Sequence, residues 1–207
     1  MRRILAFRVV ALLFAASTTA TLLRAHTVWE LWLSMPDTIE GLIDADYRGY
    51  IALVDSVPNC FEGSSHLDTL AADEMRVTLT SRTSLHLRLL PAAVSGDSVL
   101  CVIHTYRLVA PESSVRVYDT GWRLLADVTF PLDDLVERPD TMSAERYAEL
   151  LRLFDPYLVS ATFDEAERGA IVVTAAAALV SDDERKALEA ITLRRRYVWD
   201  GSRFESP

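Results

Sequence analysis

The stretch "EMRVTLT" (residues 74–80), followed two residues later by "TSLHLRLL" (83–90), constrains the fold more than any other part of the chain. Apolar and polar residues alternate in both. A side-chain period of two is that of a β-strand with one face buried and the other wet. Only Ser81 and Arg82 separate the runs, so they read as a hairpin. Centring its turn on Arg82 sets Leu79 opposite Leu85. A third run, "SVLCVIHTY" (98–106), follows "PAAVSGD", in which Gly96 and Asp97 suit a turn. Folding about Val94 sets Leu89 opposite Val99, Leu87 opposite Cys101 and Leu85 opposite Ile103. One register then serves both hairpins. A slip of one residue would send every side chain to the other face. "SVRVYD" (114–119) supplies a fourth strand with Val115 and Val117 on that same face, and "WRLLADVTF" (122–130) a fifth.

Helical patterns surround this meander. "TVWELWLSM" (27–35) is a short apolar helix ended by Pro36. Asp37 with Glu40 three residues on has the form of a capping box for a second helix through Ile43. Asp44 or Asp46 caps another helical segment, whose Tyr50, Ile51 and Val54 would face the core. In "SAERYAELLRLFDP", Tyr147, Leu150, Leu151 and Phe154 recur at helical spacing before Asp155-Pro156 stops the run. "YLVSATF" and "AIVVTAAAALV" form a hairpin, and "SDDERKALEAI" a helix boxed by Ser181 and Glu184. The chain closes in a tight hairpin around Asp200-Gly201, with Tyr197 opposite Phe204.

Strands joined by short turns, with helices before, between and after them, define an α+β fold. We expect a mainly antiparallel meander of about six to eight strands. Short N-terminal helices pack on one face, and two further helices lie in the C-terminal half. The N-terminal helices should cover the Leu85–Leu87–Leu89 face and so bring Cys60 toward Cys101. In an oxidising compartment that pair could form a disulfide, or stay as two free thiols.

The first residues predict such a compartment. "MRRILAFR" is basic without an acid. "VVALLFAASTTATLL" is apolar and runs into small residues, with Ala25 or Ala20 as the exit. That is the order of a secretory signal peptide, so we divide the chain into a signal peptide over 1–25 and a single α+β domain over 26–207. The apolar run is too short and too interrupted for a bilayer span. The chain has 21 Lys+Arg and 30 Asp+Glu. Four of the bases (Arg2, Arg3, Arg8 and Arg24) lie in the signal, which leaves a net charge of −13. Such a surface disfavours nucleic acid and anionic lipid; the export signal makes a protein or glycan of the cell envelope the expected partner.

Chemical motifs are few. "DADYRGYIALVD" (44–55) places Asp44, Asp46 and Asp55 near calcium-loop positions, with Gly49 at the sixth. Arg48 sits where an oxygen ligand belongs, Asp55 is one methylene short of the bidentate Glu, and Pro36 and Pro58 curtail the flanking helices. We read the stretch as a helix cap. "DTG" (119–121) occurs once and is followed by Trp122, whereas an aspartic protease needs two such aspartates. It reads as a turn. His86 and His104 are read as solvated residues on the polar face of neighbouring strands, with Arg88 beside them and no third metal ligand. No G-x-S-x-G or cysteine–histidine spacing is present. We therefore assign no catalytic, cofactor-binding or metal residues.

Several landmarks form a pattern together: "TVWELWLSMPDTI", "DSVLCVIHTY…ESSVRVYDTGWRLL", "SDDERKALEAI" and "YVWDGSRF". In their order the chain resembles an exported Bacteroidales protein family of unknown function, domain-of-unknown-function family 3256. The resemblance implies an envelope or secreted protein without assigned activity. The expectation is a non-enzymatic binding or structural component that is periplasmic or extracellular. The alternatives are a hydrolase with a site assembled from scattered residues, and a calcium-dependent module through Asp44, Asp46 and Asp55.

Overall fold

The computed structural model describes residues 26–94 and 97–206; residues 1–25, which the sequence predicts to be a signal peptide, lie outside them, as do Ser95, Gly96 and Pro207. The chain begins with α1 (Val28–Ser34), capped by Thr27, which forms a capping box with Glu30. A one-turn helix follows, α2 (Ala45–Arg48), capped by Asp44. Seven strands come next: β1 (Val57–Pro58), β2 (Ser64–Leu70), β3 (Glu74–Thr80), β4 (Thr83–Pro91), β5 (Ser98–Arg107), β6 (Pro111–Tyr118) and β7 (Leu124–Val128). They pair antiparallel in strict sequence order, so the expected meander is present. The C-terminal part adds α3 (Leu132–Leu135), α4 (Ala144–Leu151), β8 (Tyr157–Phe163), β9 (Ala170–Ala177), α5 (Asp182–Glu189), β10 (Arg194–Trp199) and β11 (Phe204–Glu205). Its four strands form a second antiparallel sheet in the order β11-β10-β9-β8.

The meander is the middle of three layers. On one face Met75, Val77, Leu79, Leu85, Leu87, Leu100 and Val102 pack under Val28, Leu31, Trp32 and Met35 of the N-terminal segment. On the other, Cys101, Ile103, Val115 and Val117 meet Ala161, Ile171, Val173 and Tyr197 of the second sheet. Helix α4 seals the second core with Leu150, continued by Phe154 in a 3-10 turn, as its spacing predicted.

The β4–β5 register differs from expectation by one residue. Leu87 lies opposite Val102, Leu89 opposite Leu100 and Leu85 opposite His104. Cys101 therefore points away from the leucine face. In the preceding hairpin Val77, not Leu79, lies opposite Leu85, a shift of two: the turn closes at Thr80 opposite Thr83, and a bulge near Thr80 absorbs one further residue. Val99 through Ile103 are all buried, since β5 has a layer on each side. An unbroken apolar run gives both registers the same hydrophobic score, so the pattern that sets register in a half-exposed strand is silent here.

Three local expectations are corrected. Asp37 to Ile39 form turns rather than a helix: the Glu40 carboxylate reaches forward to Leu42 N–H (2.7 Å) instead of back to Asp37, and Asp37 pairs with Arg48. Ile51 is buried, but Tyr50 and Val54 are exposed. The C-terminal hairpin has a four-residue loop (200–203) in place of the expected two-residue turn, so Trp199, not Tyr197, lies opposite Phe204. Its loop is tightened by Asp200 Oδ1, which accepts from Ser202 and Arg203 N–H. Gly201 has φ +105°, and a Cβ there would meet the Ala93 backbone at 3.1 Å. A glycine suits this contact on both counts.

Both cysteines are free: Cys60 is exposed, and Cys101 is buried on the opposite face of the meander from the helices. Burial pushes the Cys101 thiol up. A thiol reagent should modify one cysteine per chain in native protein and the second only on unfolding. Two fast thiols, or none, would contradict this placement.

Candidate functional site

Strand alternation puts Ser84, His86 and Arg88 in a row on the β4 face that looks toward the second sheet. Register sets Glu74 beside Arg88 and Arg76 beside His86 on β3. Edge strand β8 packs on β5 and β6. Beyond it the β3–β4 face lies open, forming a cleft of about 470 Å³. Its walls include Ser84, His86, Thr105, Phe163, Thr69 and Arg107.

The floor is an ion network. His86 Nε2 lies 2.7 Å from Glu74 Oε1. Arg88 donates to Glu74 Oε2 from Nε (3.1 Å) and Nη2 (2.9 Å). Its Nη1 reaches the carbonyls of Asp164 (3.1 Å) and Arg168 (3.3 Å), and the guanidinium lies 4.3 Å from the Phe163 ring centroid. His86 meets the same ring edge-on at 4.6 Å. Arg88 thus fastens the meander to the β8–β9 turn. Burial pushes His86 below its ordinary value, against the pull of Glu74. Burial alone would raise Glu74, but His86 and Arg88 together hold its carboxyl below the usual range. A neutral His86 donating from Nε2 to an ionised Glu74 satisfies both directions. Its Nδ1 is then an acceptor.

The other histidine is elsewhere. His104 lies on the helix-side face of the meander, so the two do not share a face, and neither is solvated as expected. His104 stacks on Tyr106 at 4.5 Å. Its Nε2 is buried without a hydrogen bond, 3.7 Å from Oε2 of Glu40. Burial, aided by the charge of Arg116, lowers His104 to about 4, and burial raises Glu40 despite Leu42 N–H and Arg48. As pH falls below 6.5, unfolded chains take up a proton at His104 that the folded chain refuses until about pH 4. Stability contributed by this residue is complete above pH 6.5 and lost between 6.5 and about 4, by up to about 3 kcal/mol. Glu40 acts in the opposite direction: its contribution is complete below the ordinary carboxyl value and lost as pH rises through the raised one. Urea midpoints measured from pH 7 to 4.5 should fall less steeply in His104→Gln than in wild type. Parallel curves would refute the assignment.

The remaining sequence candidates carry no shared chemistry. Asp44 accepts from Asp46 N–H at 2.9 Å as a helix cap, and Asp44, Asp46 and Asp55 are all exposed. Arg48 is buried. It donates to the carbonyls of Met35 and Glu40 and to Asp37, with its guanidinium 6.0 Å from the Trp32 ring. Among the described residues no group of three His, Cys, Asp or Glu converges as metal ligands. Asp119 holds a turn by accepting from Gly121 and Arg123 N–H, and the turn sends Trp122 (φ 65°) toward Ser34 of α1. Glu74, Phe163 and the Asp164 carbonyl were missed. His86 and Arg88 alternating in an apolar strand were the visible signal, but their partner segment lies 76 residues beyond Arg88.

A family model described as "Protein of unknown function (DUF3256)" matches residues 20–204. The chain belongs to this family. Among solved structures, a domain of an uncharacterized protein from Porphyromonas gingivalis W83 is similar with a TM-score of 0.74 at 16% identity, covering 88% of this chain and 98% of that one. At such identity the likeness shows the α+β fold of a DUF3256 member and no more. No curated protein matches. Among the described residues of this DUF3256 chain, no helix is long and apolar enough to cross a membrane.

Proposed function

We propose that this DUF3256 protein is an exported cell-envelope or secreted binding component, and that the cleft between β3–β4 and β8 is its ligand site. The export reading rests on the basic, apolar and small-residue order of residues 1–25. The binding reading rests on one observation. The cleft has the volume of a small-ligand pocket, and its floor charges neutralise one another: Glu74 is held by both His86 and Arg88. What remains around it is mainly hydroxyl, guanidinium and aromatic surface with one further carboxylate, Glu165, which suits a polar ligand such as a glycan or peptide segment.

The His86–Glu74 contact favours a second reading, a hydrolase, because a histidine backed by a carboxylate can act as a general base. Against it, no hydroxyl among the described residues hydrogen bonds His86. The two readings separate in one experiment. Immobilised mature protein is exposed to a soluble oligosaccharide and peptide digest of an envelope fraction, and the eluate is identified by mass spectrometry. A compound retained intact by wild type and lost in Thr69→Trp, at the cleft rim, supports binding. A compound cleaved by wild type and spared by His86→Ala establishes the hydrolase instead. A digest neither retained nor cleaved refutes both.

A further inference from the structure

The calcium-like stretch builds a surface that neither the cleft nor the core explains. From Tyr47 the chain continues in successive turns, Tyr50 N–H bonding Tyr47 O (3.0 Å) and both Leu53 and Val54 N–H bonding Tyr50 O (2.8 and 3.2 Å). This near-helical winding turns Arg48 and Ile51 inward and Tyr47, Tyr50, Leu53 and Val54 outward. The four are 44%, 57%, 78% and 49% exposed. Leu33, 45% exposed, joins them from α1, its Cδ2 standing 3.9 Å from where a Gly49 Cβ would be. Exposed large apolar side chains are ordinary when scattered; a cluster built from α1 and from α2 with the turns that follow it marks an interaction surface. Tyrosine and leucine around a centre suit the core of such a patch.

The exposed charges carried by the 44–55 segment itself are of one sign. Asp44, Asp46 and Asp55 are exposed at its rim. Arg48 is the only Lys or Arg between His26 and Leu70, and it is 1% exposed, bound to two carbonyls and Asp37. The segment's own cation is thus withdrawn from the surface while its carboxylates stay out. An anionic membrane would meet like charge, and so would a second copy of the chain. We infer that this patch docks a partner protein through an apolar, basic segment, with its apolar residues meeting Tyr50 and Leu53 and its cations meeting Asp44, Asp46 and Asp55.

The proposal is independent of the cleft and is tested without knowing the partner. The probe is a synthetic amphipathic helix of leucine and lysine, with a leucine–glutamate version as its counterpart, titrated into the mature protein by calorimetry. The lysine peptide should bind with one-to-one stoichiometry, and its affinity should fall as salt is raised. Tyr50→Ser with Leu53→Ser, both at exposed positions, keeps every charge and should weaken it about tenfold. Asp44→Asn with Asp46→Asn and Asp55→Asn should abolish the preference for the lysine peptide. Thr69→Trp should leave binding unchanged, which separates this surface from the cleft. Undiminished binding by the serine variant would overturn the proposal, because bulk negative charge alone would then explain the affinity. Equal binding of the glutamate peptide would do so too. Saturable binding of phosphatidylglycerol vesicles, or a dimer broken by the serine changes, would assign the patch to a membrane or to a second copy instead.

Discussion

Arg48→Ala should lower the stability of the folded chain by about 3–5 kcal/mol, a loss read from the urea midpoint. The Arg48 side chain is 1% exposed and donates to the carbonyls of Met35 and Glu40, neither of which has solvent to replace it. Each buried acceptor left unpaired costs about 1–3 kcal/mol, and the vacated volume beside Trp32 adds a cavity term. Asp37→Ala removes only the 71% exposed end of the network and should cost about 1 kcal/mol or less. Arg48→Lys should recover little, since an ammonium on a shorter reach does not reproduce the planar fork that spans three acceptors. Trp32, whose Nε1–H donates to Arg48 O at 3.1 Å, gives a local fluorescence report on the same clamp. An alanine variant with the wild-type midpoint would mean that Arg48 does not organise the N-terminal segment.

Leu87→Asp should be as damaging, at several kcal/mol, because it places a carboxylate without a partner between Met75 and Val102 beneath the helices. The layer arrangement adds a sharper contrast. In a sheet with one wet face, Asp at one of two adjacent β5 positions is tolerated. Here Cys101 faces the second sheet and Val102 the helices, 0% and 4% exposed, so both Cys101→Asp and Val102→Asp should unfold the protein at ordinary temperature. Tolerance of either would show that one of the covering layers is absent in solution. His86→Asp should cost less than these, but more than a wet-face position would. The new carboxylate would have the cleft for solvation and Glu74 as a like-charged neighbour.

Much of the architecture was legible without coordinates, for identifiable reasons. Period-two alternation in β3 and β4 is visible because polar residues mark one face. The Ser181/Glu184 box is local, so helix α5 starts where its side chains can close on their own backbone; the Thr27/Glu30 box of α1 has the same form but was recognised only in the structure. Asp37 and Glu40 have the same spacing and failed. The competing partners, Arg48 and Leu42 N–H, outweighed the local motif, and one of them comes from a separate helix. The cleft was legible only as isolated polar letters. Glu74, His86 and Arg88 belong to adjacent strands, but the Phe163 ring and the Asp164 carbonyl that complete the network arrive from the second sheet.

The sequence by itself ordered β3 to β7, because short turns allow only neighbours to pair, but it carries no sign of β1 or of the largely polar β2. It also determined the placement of apolar helices on the Leu85–Leu87–Leu89 face, since three alternating leucines must be covered. Tertiary structure decided the β4–β5 register and, with it, the direction of Cys101. A strand buried on both faces carries no polar residue to report a slip, so the packing of two layers, one on each side, chose between registers the sequence leaves equal. It likewise decided the fate of Arg48. One cation among carboxylates reads as surface charge or as a spoiled metal loop, and only the closing of the 35–40 turn around it supplies the carbonyls that make its burial stable.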